Sequence, residues 1–303
     1  MGNLPRRELL DPAVLSRLGS LPLLARQAMV GSVAGRHRSP HRGSSVEFAE
    51  YRKYVPGDDT RRLDWRAFAR SDRFYIKEFE ADTNLRLVLV VDSSGSMKYG
   101  APAGLRKIDY AKRMAATLAS IALQQGDAVG LSLAAAKLAV EIRPSRRSSH
   151  LAVVVDTLVA AEPAGETGLV KVLHDVAEKN RQRALVVIAS DFFVDPEELE
   201  GAFRHLRFRK HDVAAFQLLE ARETSFDFKG TVRFVDLEGG PSYMTDPVEV
   251  ASTYKAAIRK HMATLDRIAA ASSIELHRVN VEEPYEAVLA RFLLGRARTG
   301  VQR

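Results

Sequence analysis

Apolar runs of strand length alternate with helical stretches from about residue 85 to the end of the chain, and this alternation limits the fold more than any other feature. The run at residues 85–91 is rich in Leu and Val, as expected for a strand buried on both faces of a sheet. Residues 106–125 then carry apolar side chains at helical spacing, and residues 184–190 form a second buried run. The pattern predicts an α/β fold with a mostly parallel sheet flanked by helices.

Residues 1–80 depart from this regular alternation. They begin with a short, Leu-rich helical piece, continue with a stretch rich in Gly, Ser and Arg, and end in a segment where aromatic, arginine and aspartate residues are closely mixed. We interpret residues 1–80 as an ordered N-terminal extension packed on an α/β domain of residues 81–303. A chain of 303 residues, 46% of them hydrophobic, has room for one large domain with such an extension.

Several function classes are excluded or disfavoured by residues that are missing from the sequence. The chain has no cysteine, which excludes disulfides, thiolate zinc sites and cysteine nucleophiles. It also has no Walker A motif for nucleotide phosphates. No apolar run reaches the roughly 20 residues that cross a bilayer, and the N-terminus lacks the apolar segment of a secretory signal. We therefore expect a cytoplasmic protein without a transmembrane segment.

The formal net charge of +7 raises the question of an anionic partner. Basic residues cluster at residues 143–147 and 204–211, but neither cluster lies beside a glycine-aromatic nucleic-acid motif. We expect no nucleic-acid partner. Binding of an anionic membrane, a nucleic acid or another anionic ligand through these clusters stays open as an alternative.

A set of oxygen-bearing side chains stands where predicted strands end. The D-x-S-x-S sequence at residues 92–96 directly follows the first buried run, and its spacing aims one carboxylate and two hydroxyls at a common point. A loop threonine precedes a later helix, and an aspartate follows the run at residues 184–190. In open α/β sheets, ligands bind at the carboxyl ends of the strands. The candidate metal ligands are therefore Asp92, Ser94, Ser96, Thr167 and Asp191.

Hard divalent cations prefer such ligands, so we expect Mg²⁺, or Mn²⁺ or Ca²⁺ in its place. Each residue alone also has a purely structural interpretation, because Asp and Ser form turns and Thr167 can cap a helix. Together they leave one coordination position open, which a carboxylate from a protein partner could fill.

The order D-x-S-x-S, loop Thr, strand-end Asp resembles the metal-ion-dependent adhesion site of von Willebrand factor A domains. Asp92, Ser94 and Ser96 match the first motif, Thr167 the second and Asp191 the third. The resemblance implies a von Willebrand A-like fold over roughly residues 84–303, and a metal-dependent grip on a partner.

The N-terminal segment is similar to a second, more specific pattern, that of bacterial and archaeal domain-of-unknown-function family 58. The matching features are a Tyr-Arg-x-Tyr stretch at residues 51–54, a Pro-Gly-Asp-Asp turn at residues 56–59, Arg-Leu-Asp-Trp at residues 62–65 and Ala-Arg at residues 69–70. This resemblance implies a non-enzymatic adaptor that works with a MoxR-type AAA+ ATPase in protein maturation or chaperone-like assembly.

Two questions stay open at this level. The first is whether Asp92 is instead the nucleophile of a metal-dependent phosphohydrolase; haloacid-dehalogenase-type enzymes need an aspartate two residues later, where this chain has Ser94. The second concerns residues 56–65, which either plug the extension onto the sheet through Trp65 or form a further contact surface for the partner.

Overall fold

The structure of this protein is a computed structural model that describes residues 4–25, 47–53, 75–80, 85–100, 105–135, 140–228 and 230–301. Within these residues, ten strands form the sheets. The strands are β1 (Glu47–Lys53), β2 (Tyr75–Glu80), β3 (Arg86–Asp92), β4 (Ala128–Ala134), β5 (Val140–Ser145), β6 (Leu185–Ser190), β7 (Asp212–Leu219), β8 (Val232–Val235), β9 (Ser242–Thr245) and β10 (Glu275–Asn280).

Six of these strands build the central sheet, in the order β10-β7-β6-β3-β4-β5. All neighbouring pairs are parallel except β4 with β5, which is antiparallel and closes one edge. Every residue of β4, β6 and β7 is buried, as is all of β3 after its first residue. This confirms the predicted α/β fold, von Willebrand A-like, with a mostly parallel sheet.

Helices cover both faces of the central sheet. They are α1 (Arg6–Leu9), α2 (Pro12–Leu18), α3 (Lys107–Gln124), α4 (His150–Ala160), α5 (Leu169–Lys179), α6 (Pro196–Phe208), α7 (Ala221–Ser225), α8 (Pro247–Ala271) and α9 (Tyr285–Val301). One face packs against α5, α6 and α8 through a continuous apolar core. On the other side, α3 contacts β3, β4 and β7, and is itself contacted by α1, α2, α4 and α9.

Helix α3 is buried around most of its circumference, because further helices cover the side that turns away from the sheet. Helices α1 and α2 belong to this cover, with Leu9, Val14 and Leu18 buried. The turn after α2 is tied down by Gln125, whose side chain bonds the backbone of Leu21 and Leu23. Apolar burial therefore holds the start of the chain in the α/β unit.

The predicted extension of residues 1–80 is thus divided in the structure. Residues 4–25 lie in the same compact unit as the chain from Leu85 onward, whereas the antiparallel pair β1–β2 lies in a second unit. Residues 56–65, with the Pro-Gly-Asp-Asp turn and Trp65, lie outside the described residues. For residues 56–65, packing on the α/β domain stays a prediction.

Most predicted elements of the α/β domain are confirmed within a few residues. Helix α6 begins at a strong local start signal, since Asp195 accepts hydrogen bonds from the amides of Glu197 and Glu198 and Pro196 occupies the first turn. Two elements between β7 and α8 were not predicted: the five-residue α7 and strand β9, which pairs with β8. Both are too short and exposed to carry a clear periodicity. No described helix is long and apolar enough to cross a membrane.

Candidate metal centre

The candidate site lies at the carboxyl edge of the central sheet, where β3 and β6 end side by side. Asp92 is the last residue of β3 and is only 1% exposed. Asp191 follows the last residue of β6 and is 2% exposed. Because β3 and β6 are parallel neighbours, their ends bring two carboxylates from distant parts of the sequence to the same edge.

The loop after Asp92 folds back so that its polar atoms converge. The amide of Ser94 donates to Oδ1 of Asp92 at 2.9 Å. The hydroxyls of Ser94 and Ser96 lie 3.0 Å apart, across the start of a 3₁₀ turn at Gly95–Lys98. The D-x-S-x-S spacing therefore does place one carboxylate and two hydroxyls in a single cluster, as predicted.

Gly95 is required at the centre of this loop. Its amide donates to the carbonyl of Gly165 at 2.8 Å. A Cβ atom at position 95 would lie 1.9 Å from the carbonyl oxygen of Leu237, in the turn between β8 and β9. The D-x-S-x-S loop is thus pressed between two other loops, and no residue larger than glycine fits without moving the β8–β9 turn.

Thr167 joins the same cluster from the loop before α5. Its hydroxyl lies 3.4 and 3.3 Å from the two carboxylate oxygens of Asp92. The same oxygen accepts a hydrogen bond from the amide of Leu169 at 3.2 Å. Thr167 therefore steadies the first turn of α5 and also faces the carboxylate of Asp92.

Asp191 is in different surroundings from the other four predicted residues. Its Oδ2 lies 2.8 Å from Nζ of Lys107, the first residue of α3. Its Oδ1 accepts from the amide of Phe193 at 3.3 Å. The structure places Asp191 near Asp92 but engages it in a buried ion pair, a contact that the sequence analysis did not predict.

The charge of Asp191 acts on the carboxylate of Asp92. Burial, followed by the charge of Asp191, raises the pKa of Asp92 to about 6. Hydrogen bonds from Ser190 and Ser94 act in the opposite direction, and the hydroxyl of Ser190 lies 2.6 Å from Oδ2 of Asp92. Burial and the second carboxylate disfavour the ionised form of Asp92, and a nearby cation would stabilise that form.

Three residues at the site were missed from the sequence. Ser190 ends β6 immediately before Asp191, and its place beside a predicted ligand was the one signal that could have revealed it. Lys107 and Glu223 form an ion pair of 2.8 Å, and no local pattern connects residues 116 positions apart. Lys107 and Glu223 come close to Asp191 only through the tertiary fold.

The donor chemistry fits a hard divalent cation. The clustered atoms of Asp92, Ser94, Ser96 and Thr167 are all oxygens, with no sulfur or nitrogen ligand among them. Among the described residues, no three His, Cys, Asp or Glu side chains are grouped so that they could hold a metal ion. A cation here would therefore depend on hydroxyl oxygens and on at most two carboxylates, which favours weak binding and an external ligand.

The basic run at residues 204–211 is largely committed to internal contacts. Arg204 pairs with Glu200, and Arg209 pairs with Glu178 on α5. His211 is fully buried, with Nδ1 accepting from the amide of Ala184. The run offers fewer free charges to an anionic partner than its sequence suggests.

Fold and site together define a von Willebrand A-like domain with an oxygen-rich loop at the carboxyl edge of its sheet. The chain belongs to the family described as "Protein of unknown function DUF58", whose sequence profile matches residues 50–265. The predicted family is thereby confirmed.

Relatives over nearly the full length are found in mycobacteria. The chain is 30% identical over 298 residues to "Uncharacterized protein Rv1480" of Mycobacterium tuberculosis (strain ATCC 25618 / H37Rv), covering 97% of this chain and 93% of that protein. "Uncharacterized protein Mb1516" of Mycobacterium bovis matches with the same identity and coverage.

Solved structures with a similar arrangement are more distant. BatB, a conserved hypothetical protein from Bacteroides thetaiotaomicron, matches with a TM-score of 0.48 and 14% identity, covering 71% of this chain and all of that one. An aerotolerance-related membrane protein from Bacteroides fragilis matches with a TM-score of 0.46 and 16% identity, covering 73% of this chain and 100% of that chain. At these values the likeness carries no information about function.

Proposed function

We propose that this protein is a non-enzymatic, metal-dependent protein-binding adaptor. The observation that carries the proposal is the convergence of carboxylate and hydroxyl oxygens around Asp92 at the carboxyl edge of the sheet. The residues that would hold Mg²⁺, or Mn²⁺ or Ca²⁺ in its place, are Asp92, Ser94, Ser96, Thr167 and Asp191. When bound, such an ion supplies a positive charge and an open position to an incoming carboxylate.

The residues around Asp92 favour binding over covalent chemistry. A nucleophilic carboxylate of that type needs a neighbouring acid, whereas the groups that donate to Asp92 are the amide of Ser94 and the hydroxyl of Ser190. The position two residues later, where the phosphohydrolase alternative needs an aspartate, is Ser94, and its hydroxyl interacts with Ser96. These side chains hold and orient Asp92 without supplying a proton to a leaving group.

The surface beside the loop supports a protein as the partner. Leu237, whose carbonyl lies against Gly95, is 39% exposed. Further exposed apolar side chains on the β8–β9 turn region and the start of α8 are Val235, Tyr243, Met244 and Val248. Exposed apolar side chains of this kind are typical of protein contacts. The family resemblance adds a MoxR-type AAA+ ATPase as the proposed partner, and we keep the cytoplasm as the proposed location.

Metal titration tests the first part of the proposal. We expect calorimetry to detect one weak Mg²⁺ or Mn²⁺ site per chain, and an Asp92→Ala/Asp191→Ala variant to show no such site. Asp175→Ala, which changes an exposed carboxylate on α5, is the matched control and should bind like the wild type. Equal metal binding by the double variant and the wild type would contradict the assignment.

A binding experiment tests the partner. A MoxR-type ATPase from the same organism is immobilised, and the full chain is applied with MgCl₂ or with EDTA. We expect a complex that forms with MgCl₂, is lost with EDTA and is lost with Asp92→Ala. A complex of equal strength after chelation would show that the contact is not bridged by metal.

A further inference from the structure

Lys107 is a fully buried lysine in contact with the candidate metal centre. Its side chain is 1% exposed, and its Nζ lies 2.8 Å from Oδ2 of Asp191 and 2.8 Å from Oε1 of Glu223. One of its partners is a predicted metal ligand, whereas the other comes from α7. The ammonium group therefore adds a positive charge directly beside a site that is predicted to bind a cation.

Aromatic side chains enclose this ammonium group. Nζ of Lys107 lies 5.9 Å from the ring centre of Tyr99 and 5.5 Å from that of Phe193. Rings at these distances stabilise the cation and keep water away from it. With little water to screen it, the charge of Lys107 acts strongly on its neighbours.

Glu223 is held in place by its own contacts. Its Oε2 accepts from the amide of Glu220 at 2.8 Å, as part of the capping box that starts α7. Its backbone carbonyl accepts from the hydroxyl of Tyr254 on α8 at 2.9 Å. Both carboxylate oxygens of Glu223 are thus engaged, and this fixes its carboxylate against Lys107.

We propose that Lys107 is a positioning residue that sets the charge of the metal centre, engaging Asp191 and keeping the affinity for a divalent cation low in the absence of a partner's carboxylate. The inference rests on the proposed metal binding and specifies how it is tuned. Lys107 occupies Oδ2 of Asp191 and offsets its charge, and Glu223 in turn offsets part of the charge of Lys107.

Removing Lys107 changes the affinity for metal in opposite directions, depending on whether Lys107 sets the charge of the site or only supports the fold. If Lys107 only supports the fold around Asp191, its removal weakens metal binding. If Lys107 sets the charge, its removal strengthens metal binding, because two carboxylates then face the cation without a competing ammonium group. Neutralising Glu223 has the opposite effect, because the charge of Lys107 is then less compensated.

The experiment titrates the full-length protein with MnCl₂ at pH 8, following free Mn²⁺ by electron paramagnetic resonance. Lys107→Met keeps an unbranched, flexible side chain that is one atom shorter and carries no charge, and we expect binding about tenfold tighter than wild type. For Glu223→Gln we expect binding about threefold weaker. Lys112→Met is the control, since Lys112 is a buried lysine of the same helix whose Nζ has no hydrogen-bond partner in the described structure; its affinity should stay within about twofold of wild type.

The possible results distinguish the inference from the function on which it rests. Weaker or unchanged binding by folded Lys107→Met, with wild type binding Mn²⁺, overturns the role of Lys107 and leaves the metal site standing. If circular dichroism shows that Lys107→Met does not fold, the Glu223→Gln variant provides the test. Mn²⁺ binding by Glu223→Gln that is equal to or tighter than that of wild type overturns the inference. Absence of Mn²⁺ binding in wild type and all variants overturns the proposed function and the inference with it.

Discussion

Asp92 and Asp191 end neighbouring parallel strands and look alike in the sequence, yet the structure gives them different surroundings. Asp92 is surrounded by neutral donors, with Ser94, Ser190 and Thr167 around its carboxylate. Asp191 is paired with the buried ammonium group of Lys107. The comparison shows that an aspartate at the end of a strand in a ligand crevice can have two kinds of surroundings. It can accept hydrogen bonds from neutral donors, as Asp92 does, or it can form an ion pair, as Asp191 does.

The largest expected effect is on metal affinity. We expect Asp92→Asn to weaken Mn²⁺ binding about 100-fold and Asp191→Asn about tenfold, because Asp191 shares its charge with Lys107 whereas Asp92 does not. Calorimetry on the two variants side by side measures the difference. A greater loss of Mn²⁺ affinity for Asp191→Asn than for Asp92→Asn would contradict the different roles given to the two aspartates.

Stability in the presence of EDTA should show the reverse order. Asp191→Asn leaves Lys107 with Glu223 as its remaining carboxylate, and breaking part of a buried ion pair costs about 2–4 kcal/mol of unfolding free energy. Asp92→Asn removes a carboxylate that is buried next to another, so we expect a change of less than about 1 kcal/mol. Urea unfolding of both variants checks this; equal losses would mean that the two carboxylates are equivalent.

Gly95 tests how tightly the Asp92 side of the site is packed. Gly95→Ala places a Cβ 1.9 Å from the Leu237 carbonyl oxygen, and we expect a loss of about 1–3 kcal/mol by the same urea assay. The matched control is Gly201→Ala in α6, where nothing lies within 4 Å of the added carbon. That change should stabilise the protein by about 0.5–1 kcal/mol. Gly95→Ala at wild-type stability would mean that the β8–β9 turn yields readily.

The smallest expected effect concerns the hydroxyl of Thr167. Thr167→Val keeps the shape of the side chain, and we expect about threefold weaker Mn²⁺ binding, since one of several oxygen donors is lost. Thr157→Val, in the exposed side of α4, removes a hydroxyl that bonds only to a backbone carbonyl and should not change the affinity. An unchanged affinity for Thr167→Val would leave Thr167 with its structural role at the start of α5.

Much of the fold could be predicted because its signals are local. A β-branched and Leu-rich run indicates a buried strand by its own composition, as at β3, and the Asp195-Pro196 start of α6 is written in adjacent residues. The site residues from Asp92 to Ser96 were found for the same reason. Thr167 and Asp191 could be added because each stands at the end of a recognisable element, and parallel strands bring such ends to one edge.

The sequence by itself determined the alternation of strands and helices, the family and the five candidate ligands. Only the tertiary structure decided which charges meet at the site. Lys107 and Asp191 are 84 residues apart, and the Gly95–Leu237 contact depends on a turn between two exposed strands. The same holds for α2, which contacts both α3 and α9, the last helix of the chain. Periodicity reports whether a side chain is buried, but which distant group it meets depends on the path of the whole chain.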